Sequence, residues 1–286
     1  MTLSVGQLYL QVRDRFRAAG LPTADLDAKI LVSTVLGTSV SGLVLSEDTE
    51  VEDNSCRDIG IKTELRISGM PVGRILGERD FYGRRFLLNK ATLEPRPDTE
   101  ILIDTVLART PHDKVSTIWD IGTGSGAIAV TLLAELPFSQ MIAIDLSEEA
   151  LGCAQKNAQL HQVGDRFHPL CADYLSAFRP DLATGPDWIV SNPPYIRKDV
   201  LGELDPEVVR HDPVLALDGG ESGLDAYVAI VGDAAHLLQT GGQIALEIGY
   251  DQGPAVEKQL RHHAFGAIEI IKDLSGNDRV VTARRL

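Results

Sequence analysis

Val115-Ser116-Thr117-Ile118-Trp119-Asp120-Ile121-Gly122-Thr123-Gly124-Ser125-Gly126 reads as a buried strand that runs straight into a glycine-rich turn. From this point the pattern alternates strand and helix, which implies a parallel, doubly wound α/β sheet. Strands are predicted at 115–120, 141–144 and 167–171, with a fourth over Trp188–Val190, and the helix after the glycines at 127–136. Glycines let a backbone approach a ligand closely, and amides exposed at a helix start can face it. The spacing Asp120-x-Gly122-x-Gly124-x-Gly126 is not the G-x-G-x-x-G dinucleotide fingerprint. A carboxylate at this strand end, where a nicotinamide enzyme would meet pyrophosphate, favours a ligand that is cationic and free of phosphate. S-Adenosylmethionine, with an ammonium, a sulfonium and no phosphate, has that character.

The following strand ends extend the pattern. Asp145 closes the second strand, where a carboxylate can accept from two ribose hydroxyls. After the third, Ala172-Asp173-Tyr174 offers a polar residue and an aromatic that either bracket an adenine or form a surface turn. The fourth delivers Ser191-Asn192-Pro193-Pro194-Tyr195. Proline donates nothing to a ladder, so the strand stops there, and the residue before each proline is held extended. The stiff corner presents the Asn192 side-chain carbonyl and the Pro193 backbone carbonyl, two acceptors for the two hydrogens of a planar –NH2 group.

The 286 residues fit about two domains at ~150 residues each. Residues 1–78 read as three short helices in a small bundle suited to partner recognition, with the third over 54–68 and Thr23 capping the second. Residues 79–95 read as a β-hairpin linker, and 96–286 as the sheet domain. Arg96-Pro97-Asp98-Thr99-Glu100 opens a helix and is placed to wall the glycine site. The weakly periodic stretch from 196 to about 224 reads as a lid or wall over the fourth strand's end. Two closing strands joined only by 273–277 are too close for a parallel crossover, so the last runs antiparallel. The net charge of −14 argues against a nucleic-acid partner. No signal peptide or bilayer-spanning run is expected. Three unpatterned cysteines suit a reduced cytoplasmic protein, and no histidine falls into a metal spacing.

Five motifs then stand in order: Gly77-Glu78-Arg79-Asp80-Phe81-Tyr82, Pro95-Arg96-Pro97-Asp98-Thr99-Glu100, Asn192-Pro193-Pro194-Tyr195-Ile196, Ala216-Leu217-Asp218-Gly219-Gly220 and Asp273-Leu274-Ser275-Gly276-Asn277-Asp278-Arg279. Together they resemble the bacterial peptide chain release factor N5-glutamine methyltransferases, the PrmC/HemK family, across essentially the whole chain. The resemblance implies a class I methyltransferase with a seven-stranded sheet and an antiparallel last strand. It implies methyl transfer from S-adenosylmethionine, leaving S-adenosylhomocysteine, to the glutamine of the Gly-Gly-Gln loop in release factors. It also implies that Gly122, Thr123, Gly124, Ser125 and Gly126 line the methionine part of the cofactor. Asp145 would hold the ribose and Tyr174 would lie by the adenine. Asn192 would touch cofactor and substrate, while Asn192, Pro193, Pro194 and Tyr195 bind the glutamine side chain. Catalysis would fall to Asn192, Pro193 and Tyr195, mainly by positioning. Glu94 stands where the family usually has an apolar residue, and Gly73-Arg74 where an aromatic is common. The competing readings are a methyltransferase acting on a ribosomal-protein glutamine, a DNA adenine N6-methyltransferase, and a binding module that keeps the fold only as scaffold.

Overall fold

The computed structural model describes residues 3–179 and 185–286. The chain begins with α1 (Val5–Ala18), α2 (Ala24–Val35), α3 (Val40–Leu45), α4 (Asp53–Ile67) and α5 (Val72–Leu76). Ser4 opens α1 with a capping box: its hydroxyl accepts from Gln7 N, and the Gln7 side chain accepts from Ser4 N. Val5, Leu8, Val12 and Phe16 recur every three to four residues and fill one face. They meet Ala28, Leu31 and Val32 of α2 in a small core of their own. Two expectations need amending. The bundle has five helices rather than three, because α3 and α5 are six and five residues long and show too few turns for a period to register. Thr23 does not cap α2; its hydroxyl donates to Asp27 Oδ2 at 2.9 Å.

A hairpin follows, β1 (Glu78–Phe81) and β2 (Arg84–Leu87). Its turn residues Tyr82 and Gly83 both have positive φ (50° and 68°), the two-residue turn that matches strand twist. A tyrosine is strained there, and α6 (Glu100–Leu107) holds it: Tyr82 N donates to Glu100 Oε1 and its hydroxyl to Asp104 Oδ1. Then come β3 (Thr117–Ile121), α7 (Ala127–Glu135), β4 (Gln140–Asp145), α8 (Glu148–Leu160), β5 (Phe167–Cys171) and β6 (Trp188–Ser191). The chain ends through α9 (Pro206–His211), α10 (Asp225–Leu237), β7 (Gln243–Glu247), α11 (Gly253–His262), β8 (Phe265–Lys272) and β9 (Asp278–Arg285).

Seven strands make one sheet in the order β5-β4-β3-β6-β7-β9-β8. β9 is antiparallel to both its neighbours, as the short 273–277 turn requires, and the other pairs are parallel. Alternate residues of each strand face opposite sides, so Ile118 and Val190 enter one core and Trp119, Ile121 and Ile189 the other. Winding runs outward from β3 to β5, then returns to place β6 on the other flank of β3. That reversal opens a crevice at the carboxyl ends of β3 and β6, where open α/β sheets take ligands.

The chain divides into two compact units: residues up to Glu78 together with Pro206–His211, and Arg79–Asp205 together with Asp212–Leu286. Part of the stretch expected to act as a lid therefore belongs to the helical unit. Its anchor is ionic. The Arg66 guanidinium, buried on α4, pairs with Asp27 Oδ2 at 2.7 Å and Glu207 Oε1 at 2.6 Å. Removing one partner of a buried pair strands the others, which costs about 3–5 kcal/mol. We expect Arg66→Ala to lose about that much stability, read as a lowered midpoint in urea unfolding, whereas exchange of the exposed Arg17, paired with Asp25 in solvent, should leave the midpoint nearly unchanged.

Candidate active site

The crevice is an open cleft whose empty space, open solvent included, is about 1080 Å³. Gly122, Thr123, Gly124, Ser125, Asp145, Tyr174, Asn192 and Pro194 all line it. Gly126, Pro193 and Tyr195 stand behind the lining. Gly126 begins α7 with φ +78°, and a Cβ there would meet Ala154 Cβ at 3.1 Å, so the loop lies flush on α8. Pro193 is buried, and Tyr195 packs into the core that holds Tyr227. Burial raises the Tyr195 phenol to about 12, with the nearby Glu247 adding to the shift.

The glycine loop is shaped by backbone bonds. Gly122 N and Thr123 N both donate to Ile144 O, at 2.8 and 2.9 Å. Gly124 N donates to Asp145 Oδ2 at 2.8 Å, and Ser147 N to Asp145 Oδ1 at 2.9 Å. Burial pushes the Asp145 carboxyl up, while those amides pull it back. A carboxylate has about four lone-pair positions, so both oxygens retain acceptor capacity. Beneath the loop, Asn157 of α8 is fully buried and spends its whole amide on backbone. Its Oδ1 accepts from Leu87 N, and its Nδ2 donates to Leu87 O and Ser125 O. One side chain thus ties the hairpin to the glycine loop.

Asp120 departs from the expectation of a carboxylate facing the ligand. It is fully buried below the loop, away from the cleft lining. Thr123 Oγ1 donates to its Oδ2 at 2.7 Å, and Oδ1 has no partner among the described residues. Burial raises its pKa to about 7, against bonds from Thr123 and Ala129 that lower it. A carboxyl more basic folded than unfolded binds its proton preferentially in the native state, so its contribution to stability falls as pH rises through the window from about 4 to about 7. Asp120→Asn keeps an acceptor for Thr123 and removes the charge. We expect the variant to melt higher than the parent at pH 8, with the gap closing near pH 4.

The proline corner is braced from two sides. Ile196 N donates to Leu217 O and Gly219 N to Ile196 O, so the Ala216–Gly220 motif returns alongside it. Gln252 Nε2 donates to Tyr195 O at 3.0 Å. Leu215 and Ala216 line the cleft, which makes this part of the long segment the wall predicted for it. Thr99 and Glu247 carry no obvious signal in the sequence as partners of the corner. Asn192 Nδ2 donates to Thr99 Oγ1 at 3.2 Å, and Thr99 Oγ1 donates to Glu247 Oε2 at 2.7 Å. The hints are that Glu247 follows the apolar run Ile244-Ala245-Leu246 and that Thr99 lies in the stretch expected to wall the site. Glu94 is buried in the cleft wall, where its carboxylate meets Arg79 at 3.1 Å.

Glu94, Asp145 and Asp173 line the cleft against one arginine, Arg96, and this acidic lining suits a cationic nucleoside such as S-adenosylmethionine. Asp145 keeps free lone pairs for hydroxyls, and Tyr174, held at φ 46°, stands at the mouth beyond β5. Among the described residues no helix is long and apolar enough to cross a membrane.

Comparison with known proteins agrees with this geometry. Residues 7–77 match the family model described as PrmC N-terminal domain, and residues 96–211 the Methyltransferase small domain. The release factor glutamine methyltransferase of Agrobacterium fabrum is 41% identical over 280 residues, covering 96% of each chain. That of Caulobacter vibrioides is 37% identical, covering 98% of this chain and 96% of its own. A methyltransferase structure from Pyrococcus furiosus shares the fold at 15% identity and TM-score 0.50, covering 82% of this chain and 99% of that one. With two relatives well above 30% identity along nearly their whole length, the chain belongs to the release factor glutamine methyltransferase family.

Proposed function

We infer that the protein transfers a methyl group from S-adenosylmethionine to the side-chain amide nitrogen of the glutamine in the Gly-Gly-Gln motif of peptide chain release factors. The observation that carries this reading is the state of Asn192. Its NH2 end is committed to Thr99, and among the described residues no donor reaches its Oδ1. The acceptor end is therefore the end offered to a ligand, at the edge of the same cleft as the glycine loop.

S-Adenosylmethionine, when bound, supplies an electrophilic methyl on a sulfonium. In the proposed assignment, Gly122–Gly126 receive its methionine part, Asp145 its ribose and Tyr174 its adenine edge. A glutamine amide is a poor nucleophile because its lone pair is delocalised into the carbonyl. Asn192 Oδ1 and the Pro193 carbonyl would accept its two hydrogens, fix its plane and aim the nitrogen. Pro194 would wall the slot, with Tyr195 backing it from the core. Positioning of this kind supplies about 7–11 kcal/mol in favourable cases. No strong base is needed, since the nitrogen becomes acidic as it is methylated and its proton can leave to water. Acceptor dipoles in a dry slot also favour the spreading positive charge. The helical unit would serve substrate recognition, and the reaction would run in the cytoplasm, where translation terminates.

The test is direct. Purified release factor and a ribosomal protein are each incubated with the enzyme and isotopically labelled S-adenosylmethionine, then digested and sequenced by mass spectrometry. One added methyl on the Gly-Gly-Gln glutamine is expected; label confined to the ribosomal protein would overturn the reading. Duplex DNA as acceptor is expected to stay unlabelled.

A further inference from the structure

The orientation of the Asn192 amide is set by groups outside the slot, and the hydrogen bonds show which. Thr99 carries one hydroxyl proton, and that proton is spent on Glu247 Oε2 at 2.7 Å. Toward Asn192, Thr99 Oγ1 can then only accept, so Asn192 must present Nδ2 to it, as observed at 3.2 Å. We propose that Thr99 and Glu247 are positioning residues that hold the Asn192 amide with its oxygen toward the substrate, and that protonation of Glu247 turns the amide over. This rests on the glutamine methyltransferase reading above.

Glu247 ends β7 next to the end of β6, and it is 2% exposed. Charged and titratable groups face it from every side. Arg279 of β9, itself bound to Asp98 and Asp273, favours its charge; Asp98 opposes it. The phenol of Tyr195 lies within its field, and the Tyr227 hydroxyl of α10 bonds the Glu247 backbone oxygen rather than the carboxylate. Burial outweighs the hydrogen bonds from Thr99 and Asn192 and the pull of Arg279, and lifts the carboxyl to about 7. Above that pH the carboxylate accepts from Thr99. Below it, the carboxylic acid can donate to Thr99 Oγ1 instead. The threonine proton is then free to turn to Asn192, where it is met best by Oδ1. The flipped amide shows its NH2 to the substrate NH2, donor against donor, and the nitrogen loses its hold.

The prediction is a pH-dependent kcat. With release factor as acceptor, wild-type kcat falls about tenfold for each pH unit below about 7. Glu247→Gln retains an acceptor for Thr99 but cannot titrate, so its kcat stays flat over the same range. Thr99→Val lowers kcat about 10²-fold at every pH, with S-adenosylhomocysteine affinity by calorimetry unchanged. Thr99→Ser, which restores the hydroxyl, stays near the wild-type rate. The idea fails if Thr99→Val turns over like wild type, or if Glu247→Gln keeps the acid limb. A Glu247→Gln chain that does not fold leaves the Thr99 pair to decide the matter. A wild-type enzyme that leaves release factor unmethylated at every pH takes down the functional reading itself, an outcome distinct from an active enzyme indifferent to Thr99.

Discussion

Asn192→Ala is expected to lower kcat for release-factor methylation by about 10²–10³-fold, the range seen when one preorganised polar contact to a reacting group is deleted. In the proposed assignment, alanine removes the Oδ1 acceptor and leaves the Pro193 carbonyl to hold the substrate nitrogen by one hydrogen alone. The fold should survive, because Asn192 is only partly buried and its partners Thr99 and Glu247 keep their bond to each other. Cofactor affinity should drop far less than kcat, since the glycine loop is shaped by Ile144 and Asp145 on the far side of β3. Single-turnover kinetics with circular dichroism and calorimetry separate these quantities. Wild-type turnover by the variant would end the positioning argument.

The second large effect is at Gly219. Its backbone runs so close to the proline corner that a Cβ would sit 2.8 Å from Tyr195 Cα and 2.9 Å from Pro194 O. Neither atom belongs to a flexible side chain, so one backbone must move. Yielding is opposed by the bonds of Ile196 on both faces and by Gln252 on Tyr195 O. The methyl of Gly219→Ala therefore displaces the corner by some fraction of an ångström, and misplacement near 1 Å costs on the order of 10²-fold in rate. We expect kcat to fall toward that extent with S-adenosylhomocysteine binding unaffected, which marks the damage as local to the substrate slot. Equal losses of binding and rate would show that the two halves of the cleft are not independent.

Much of the sheet was legible in the sequence because local signals agreed with each other. Phe167–Cys171 has the predicted bounds, and the antiparallel end of the sheet followed from the five residues between β8 and β9. The acidic residues at strand ends and the paired prolines are likewise local marks. The contacts that escaped reading are long-range. Thr99 meets Glu247 across 148 positions and Asn192 across 93, and neither residue type announces such a partner. Asp120 shows the opposite failure: a strand-end carboxylate looks outward in one dimension, yet the pleat and the Thr123 bond turn it inward. The short helices α3 and α5 were invisible because a period needs more than one turn to appear.

The pairing of Arg66 with Glu207 bears on how this protein can be shortened. A chain begun at Arg79 would retain α9 while losing the Arg66 guanidinium that pairs with Glu207 and the rest of the compact unit α9 belongs to. Poor behaviour of such a fragment would then reflect a displaced foreign helix within its own sequence, and would say little about which surface greets the release factor. Grafting experiments that swap the amino-terminal helices between relatives should carry residues 206–211 with them.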